Sequence, residues 1–381
     1  MRRLITHVDL VLPDAVVPDG SLLIADGVIR AICPVAPDID QELDGGGARC
    51  LPGLVDLHCD ALEKEVEPRP RVAFDHGFAL ANSDRRNLHA GITTVYHAIS
   101  FAGGEWGVRD CRVAAEVVRT VRGFSGLVEH RVHARYEITD AGGEAPVAEL
   151  IADGQTELVS FMDHSPGQGQ FADMGAYVAY MTRTYHTSEA ESIRIGESKV
   201  AARDEGAARM DRLAALAREH GVALASHDDD TPEKVAAMQR LGVTISEFPI
   251  GLAAAQAAVD AGMVTLFGAP NVVRGRSSGG NVRALDVITA GACTGLCADY
   301  HPPSLLAAAL MLPAISPLSL PDAVRLVSLA PARAAGLRDR GAIALGQRAD
   351  LLLLDPQRPL VQAVLVAGRK VLDTVERPAC V

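Results

Sequence analysis

The chain has 381 residues, 48% of them hydrophobic and 22% charged, with 35 Gly and 21 Pro. That composition excludes a disordered, collagenous or coiled-coil protein, and a chain this long buries enough surface to fold without disulfides or a structural metal. Lys and Arg total 36 against 48 Asp and Glu, a net charge of -12, which excludes a general nucleic-acid binder because phosphate binding needs clustered positive charge.

Met1-Arg2-Arg3-Leu4 runs straight into an alternating pattern with no apolar leader, and no spanning stretch of about 18 apolar residues follows. Cys33, Cys50, Cys59, Cys111, Cys293, Cys297 and Cys380 are scattered and odd in number, without CxxC spacing. Reduced thiols and a cytoplasmic location are expected.

Short strands open the chain: Leu4–Val8, Ser21–Ile24 and Val28–Ile32, the last two joined across the hairpin signal Asp26-Gly27. The end repeats the style in Ala349–Leu354, Val361–Val366 and Lys370–Leu372. Neither end can bury a sheet face alone, so residues 1–50 and 340–381 together predict one small β-sandwich. Between them lie eight apolar runs that end in polar residues: Leu54–Asp60, Ile92–Ile99, Val132–Ile138, Leu158–His164, Val222–Asp228, Val243–Phe248, Val264–Gly268 and Gly295–Asp299. They alternate with helical stretches such as Asp204–His220, Pro232–Leu241 and Pro321–Ala335. Near-continuous apolar strands imply a parallel sheet covered on both faces. The spacing therefore predicts an α/β fold, a (β/α)8 TIM-type barrel over 51–339. Residues 165–200 are weakly patterned and read as a lid-like insertion.

In such barrels chemistry sits at the C-terminal strand ends. There stand His58 and Asp60, Glu137, Asp163 and His164, His227 and Asp228, Glu247, Asn271 and Asp299. His58 and Asp60 are two apart and share a face. Each residue also has a plainer reading. Asp228-Asp229-Asp230 ahead of Thr231-Pro232 can be a helix cap and first-turn acid cluster, the reading preferred for Asp229 and Asp230. His227 can be a satisfied core histidine, Asp299 a buried acceptor. His133 and Arg135 share a face with Glu137 and can pair with it. An imidazole or carboxylate at nearly every strand end points to divalent metal.

Leu51-Pro52-Gly53-Leu54-Val55-Asp56-Leu57-His58-Cys59-Asp60 resembles the opening motif of the amidohydrolase superfamily, PGxxDxHxH, with Asp60 in place of the second His. Gly346–Leu351 and Leu365–Gly368 resemble that superfamily's closing strands. More narrowly, His58–Lys64 with Pro68-Arg69-Pro70, Phe161–Gln168, Ser226–Asp229, Ile245–Pro249, Gly268–Gly275 and Ala298-Asp299-Tyr300 are similar, in order, to a phosphonate-metabolism family. That family hydrolyses α-D-ribose 1-methylphosphonate 5-triphosphate to the 5-phosphate and pyrophosphate.

The resemblance implies a metal-dependent hydrolase with two divalent ions, zinc foremost and manganese or iron also suited. Their ligands would be His58, Asp60, Glu137, His164, His227 and Asp299, with Asp299 also orienting the attacking water and taking its proton. Superfamily members often bridge two metals with a carbamylated lysine. Lys199, Lys234 and Lys370 lie in helical or C-terminal stretches and Lys64 falls four residues past Asp60, so Glu137 is the expected bridge. Substitution of Lys199 or Lys234 is expected to do little. Expected substrate contacts are Lys64, Arg69, Gln168, Glu247, Asn271 and Arg274. Arg71 and Arg276 stand nearby, and Gly275, Gly279 and Gly280 let backbone N–H groups approach phosphate. The expected partner is a phosphorylated small molecule, with neither nucleic acid nor membrane; a homo-oligomer is compatible. A same-superfamily amidase or deaminase acting on a C–N bond is the alternative, using the same metals without the Lys64/Arg69/Arg274 group. A non-catalytic scaffold is a third reading, and a scaffold has no use for six ligands at strand ends.

Overall fold

The computed structural model describes residues 2–375 except 36, 70–71, 104–106 and 278–279. Arg71, Gly279 and Cys380 lie outside the described residues. Among those described, strands β1 (Arg2–Val11), β2 (Val16–Ala25), β3 (Val28–Ile32), β4 (Gln41–Pro52), β13 (Leu351–Leu354), β14 (Val361–Val366) and β15 (Arg369–Asp373) make one sheet. The barrel sheet holds β5 (Leu54–Cys59), β6 (Ile92–Phe101), β7 (Glu129–Glu137), β8 (Leu158–Met162), β9 (Ala223–His227), β10 (Ile245–Glu247), β11 (Val264–Gly268) and β12 (Gly295–Cys297).

The eight barrel strands pair in chain order, every pair parallel. The ends meet where Asp299 N–H donates to the His58 carbonyl at 2.8 Å and Asp60 N–H donates to the Asp299 carbonyl at 3.2 Å. Asp56 stitches the same seam, its Oδ1 accepting from Ala298 N at 2.9 Å and His58 N at 3.2 Å. Complete burial pushes its carboxyl up to about 7, against the pull of those two N–H groups. Val55, Leu57, Tyr96, Leu158, Ala225, Ile245 and Leu266 fill the barrel's interior, so it is a packed core and the polar groups are confined to its mouth.

The terminal strands form a single sheet in the order β15-β14-β13-β4-β1-β2-β3. It folds over on itself, since Gly346 N–H and Ala349 N–H reach the Ile29 and Gly27 carbonyls of the opposite edge at 2.9 and 2.8 Å. Strand alternation explains the run of four leucines. Leu351 and Leu353 join Ile5, Leu22, Ile24 and Ile29 inside the fold of the sheet, while Leu352 and Leu354 meet Leu305, Leu312 and Val324 on the barrel side. The junction at Gly53 explains the Pro-Gly of the opening motif. A Cβ there would lie 2.7 Å from Thr93 Cγ2 and 3.0 Å from Asp350 Cβ. Gly53→Ala should therefore cost about 1–3 kcal/mol by overpacking, read as a lowered denaturant midpoint; an unchanged midpoint would mean the seam relaxes freely.

Two stretches differ from expectation. Pro321–Ala335 is broken into Leu320–Leu326 and Leu329–Ala334. Pro331 has no N–H to offer the Val327 carbonyl, and that carbonyl instead accepts from Val55 N at 3.0 Å, tying the segment to β5. The weakly patterned 165–200 region carries helices Met174–Tyr185 and Glu189–Ala201, started by the side chains of Asp173 and Ser188. Phe171, Tyr177 and Met181 form a small core under them. No helix among the described residues is long and apolar enough to cross a membrane. The six described cysteines are all unpaired thiols.

Candidate active site at the barrel mouth

β5 delivers His58, and β9 delivers His227, on either side of Glu247 at the end of β10. Glu247 is fully buried and accepts from His58 Nδ1 at 3.0 Å and His227 Nδ1 at 3.4 Å. Such a carboxylate fixes the tautomer and leaves each Nε2 with its lone pair for an electrophile. Burial first, then the nearby Arg135 charge, holds the His58 imidazole well below its usual range, so it is neutral. His227 shifts the same way for the same leading cause. Glu247, expected among the substrate contacts, thus lies beneath the histidines that it orients.

His164 follows β8. Its Nδ1 lies 3.2 Å from Glu137 Oε2, and its backbone N–H donates to the same oxygen at 3.2 Å. Its Nε2 is buried with no partner, as is Asp60 Oδ1. These orphaned donor atoms, one nitrogen and one oxygen among neutral imidazoles and carboxylates, fit a divalent cation. His58, His227 and Glu247 bring ligand atoms within 4.8 Å of one another, and so do His164, His227 and Asp228.

Asp60 and Asp299 face each other across the barrel seam. Burial first, and then Glu63, raises the Asp60 carboxyl, while Arg135 and Arg109 pull it back. Burial and then Asp60 raise Asp299 well above the carboxylate range. Asp228, Phe248 and Asp299, each just past a strand end, adopt left-handed backbone (φ 51°, 52° and 56°). That conformation is uncommon outside glycine and recurs here past the ends of β9, β10 and β12 around the site.

Glu137 ends β7 and is 1% exposed. Burial opposes its ionisation, yet Lys199, His164 and Thr139 hold the carboxyl well below its usual range. Thr139 Oγ1 donates to Oε1 at 2.5 Å, and Lys199 Nζ lies 3.7 Å from Oε2. Lys199, set aside from the sequence because its stretch is helical, therefore stands at the site. It is helical, on Glu189–Ala201, but that helix caps the mouth and turns the side chain inward. A lysine on a helix reads as solvated surface until the helix's tertiary position is known.

One cavity opens around these groups, lined by Asp60, Arg109, Arg135, His164, Gln170, Phe171, Tyr177, Tyr180, Met181, Lys199 and His227. Its cations are Arg109, Arg135 and Lys199. Of the cations expected there, Lys64 and Arg69 are exposed and do not line it. Arg274 is exposed at the end of helix Ala269–Arg274, 3.5 Å from the Tyr300 hydroxyl. Asn271 is spent within the chain, donating to the Val282 carbonyl at 3.2 Å and accepting from Ala284 N at 3.1 Å. Gln168 sits in a tight turn closed on Phe171. His133 bonds to the Leu57 carbonyl and Ser160 rather than to Glu137.

The Asp228-Asp229-Asp230 run also differs from the cap reading. Thr231 caps helix Pro232–Arg240, accepting from Lys234 N at 3.2 Å. Asp229 is fully buried and accepts from Ser226 Oγ at 2.5 Å and from Ser246 Oγ. Asp230 holds Gly169 N at 3.3 Å, docking the loop after β8. The triplet braces the ends of β8, β9 and β10.

The described residues form a closed parallel barrel with imidazoles and carboxylates gathered at its strand ends, a donor set suited to divalent metal. The fold is similar to that of an amidohydrolase crystal structure (TM-score 0.65, 16% identity, 99% of this chain and 100% of that one). An N-isopropylammelide isopropylaminohydrolase from Burkholderia multivorans is similar too (TM-score 0.64, 20% identity, 98% of each chain). No family model matches the chain. The sequence is 38% identical over 357 residues to the α-D-ribose 1-methylphosphonate 5-triphosphate diphosphatase of Escherichia coli K12, covering 92% of this chain and 94% of that protein. The chain belongs to that diphosphatase family, and is a hydrolase of phosphoric anhydrides. It is also 25% identical over 374 residues to an imidazolonepropionase from Deinococcus deserti, covering 88% and 85% of the two chains.

Proposed function

We propose that the protein cleaves α-D-ribose 1-methylphosphonate 5-triphosphate, or a close ribose 5-triphosphate, to the 5-phosphate and pyrophosphate in phosphonate catabolism. The observation that carries this reading is the 38% identity to the Escherichia coli diphosphatase over 92% of the chain, joined to a barrel mouth rich in ligand atoms. Two divalent ions, zinc foremost, are assigned to His58, Asp60, Glu137, His164, His227 and Asp299. Bound there, they supply polarisation of a phosphoryl oxygen and acidification of a water. Glu247 aims His58 and His227, while burial keeps them neutral. Asp299 orients the attacking water and receives its proton. The working unit is the barrel over 51–339, with 1–50 and 340–381 as its supporting sheet, and the cytoplasm is its proposed location. A C–N-cleaving hydrolase would use the same ligands but would leave the three cavity cations with no anionic substrate.

Incubating zinc-loaded enzyme with ribose 5-triphosphate tests the reading by phosphorus NMR. Pyrophosphate and 5-phosphate should accumulate together, and chelation should stop the reaction until metal is returned. Full activity after exhaustive metal removal, or no phosphate release from any triphosphate, would contradict it.

A further inference from the structure

Arg135 is a buried charge that acts on Asp60, Asp228 and Asp299 at a distance but touches no carboxylate among the described residues. It projects from β7 into the barrel mouth, is 6% exposed, and forms no ion pair among the described residues. Its Nε is buried with no acceptor. Its other contacts are long: Nη1 donates to Ser100 Oγ at 3.4 Å, and Nη2 lies 3.4 Å from His227 Nε2. A guanidinium keeps its charge at any physiological pH, and burying it unpaired is expensive. An anion from outside the chain completes such a site.

Two more cations line the same cavity in graded depth. Lys199 descends from the cap helix with its side chain 12% exposed. Arg109, on the turn after β6, is 23% exposed and is steered by Glu63 at 3.1 Å and the Tyr185 hydroxyl at 3.3 Å. The lysines of this chain are Lys64, Lys199, Lys234 and Lys370, in a protein of net charge -12. Placing one of them here, beside two arginines, sets three cations on the wall of one cleft. Guanidinium forks and an ammonium are the groups that recognise phosphate oxygens.

We propose that Arg135, Lys199 and Arg109 form the polyphosphate subsite. Arg135, deepest and nearest His227, takes the phosphoryl group under attack, while Lys199 and Arg109 take the departing pyrophosphate. This deepens, and rests on, the triphosphate reading above. It places recognition in the cap over 165–200 and in the loop after β6, rather than in the loops carrying Lys64, Arg69 and Arg274.

Calorimetric titration of inorganic tripolyphosphate and pyrophosphate into zinc-loaded protein tests it, with Lys199→Met and Arg109→Gln beside the wild type. Each substitution should raise both dissociation constants about tenfold or more, with metal content and circular dichroism unchanged. Lys199→Arg should restore most of the affinity, and kcat/KM for ribose 5-triphosphate should fall more than kcat. Unchanged affinity in both variants, or no tripolyphosphate binding by the wild type, would overturn the subsite. So would loss of metal from Lys199→Met with a bicarbonate requirement in the wild type, which would make Lys199 a carbamate bridge. Lys199-dependent binding without pyrophosphate release from any triphosphate would uphold the subsite and refute the reaction. Cleavage by a wild type whose variants bind normally would do the reverse.

Discussion

Asp299→Asn is expected to lower kcat by about a hundred- to ten-thousand-fold, the range for removing a general base, while KM changes little. The substitution keeps shape and hydrogen-bonding surface but removes the capacity to accept a proton. Asp299 can bear it structurally because its position is set by backbone: its N–H donates to the His58 carbonyl at 2.8 Å and its carbonyl accepts from Asp60 N at 3.2 Å. Gly268 leaves room beside the side chain, since a Cβ there would lie 3.2 Å from Oδ2. A loss confined to kcat marks an interaction made in the transition state. Metal content measured on the same preparation separates proton acceptance from ligand loss. Turnover within a few-fold of wild type at full metal occupancy would remove Asp299 from the proton's path.

The second large effect concerns stability. Glu129, at the start of β7, gathers three guanidinium groups. Its Oε2 accepts from Arg340 Nη1 at 2.6 Å and from Arg348 Nη1, and its Oε1 accepts from Arg131 Nε at 2.7 Å. Arg340 is 5% exposed and also donates to Thr94 Oγ1 of β6 at 3.0 Å. The cluster clamps the segment leading into β13 onto the barrel. Burial works against ionisation of Glu129, but Arg340 and Arg348 hold its carboxyl at about 2, down from 4.5. At about 1.4 kcal/mol per unit, that shift corresponds to roughly 3 kcal/mol, in line with the cost of breaking a partly buried pair. The folded value lies below the unfolded one, so the contribution is complete above about pH 4.5 and is lost as pH falls toward 2. Glu129→Gln should thus be about 3 kcal/mol less stable than wild type near neutrality, and the gap should close through that acid window. Urea denaturation of both proteins across pH measures it. A gap that is absent at neutral pH, or that persists at the acid end, would contradict the assignment.

The strand ladder was legible because short, largely apolar runs recur between helical stretches, with polar residues at or just past most of their ends; Leu54, Ile92, Leu158 and Val264 begin their strands where the pattern places them. Strand parity also brought His133, Arg135 and Glu137 to one face. Parity does not say which neighbour a side chain meets, and Arg135 turns to His227 and Ser100. Asp229 was misread because a run of acids before Thr-Pro looks the same whether it caps a helix or is buried between two serines. Lys199 was set aside and Arg109 missed because both sit on elements outside the strand ladder, and only the packing of the cap helix and of the turn after β6 brings them to the cavity. Lys64 and Arg69 drew attention by following a strand, but the short helix Ala61–Val66 carries that stretch away from the cavity lining.

The central claim is attack at the α-phosphorus with pyrophosphate leaving as one unit. The direct measurement runs the reaction in water labelled with heavy oxygen and weighs both products by mass spectrometry. Label should enter the 5-phosphate and be absent from pyrophosphate. Label in pyrophosphate would place attack at the β-phosphorus, and release of orthophosphate would place it at the γ-phosphorus; either result would contradict the account.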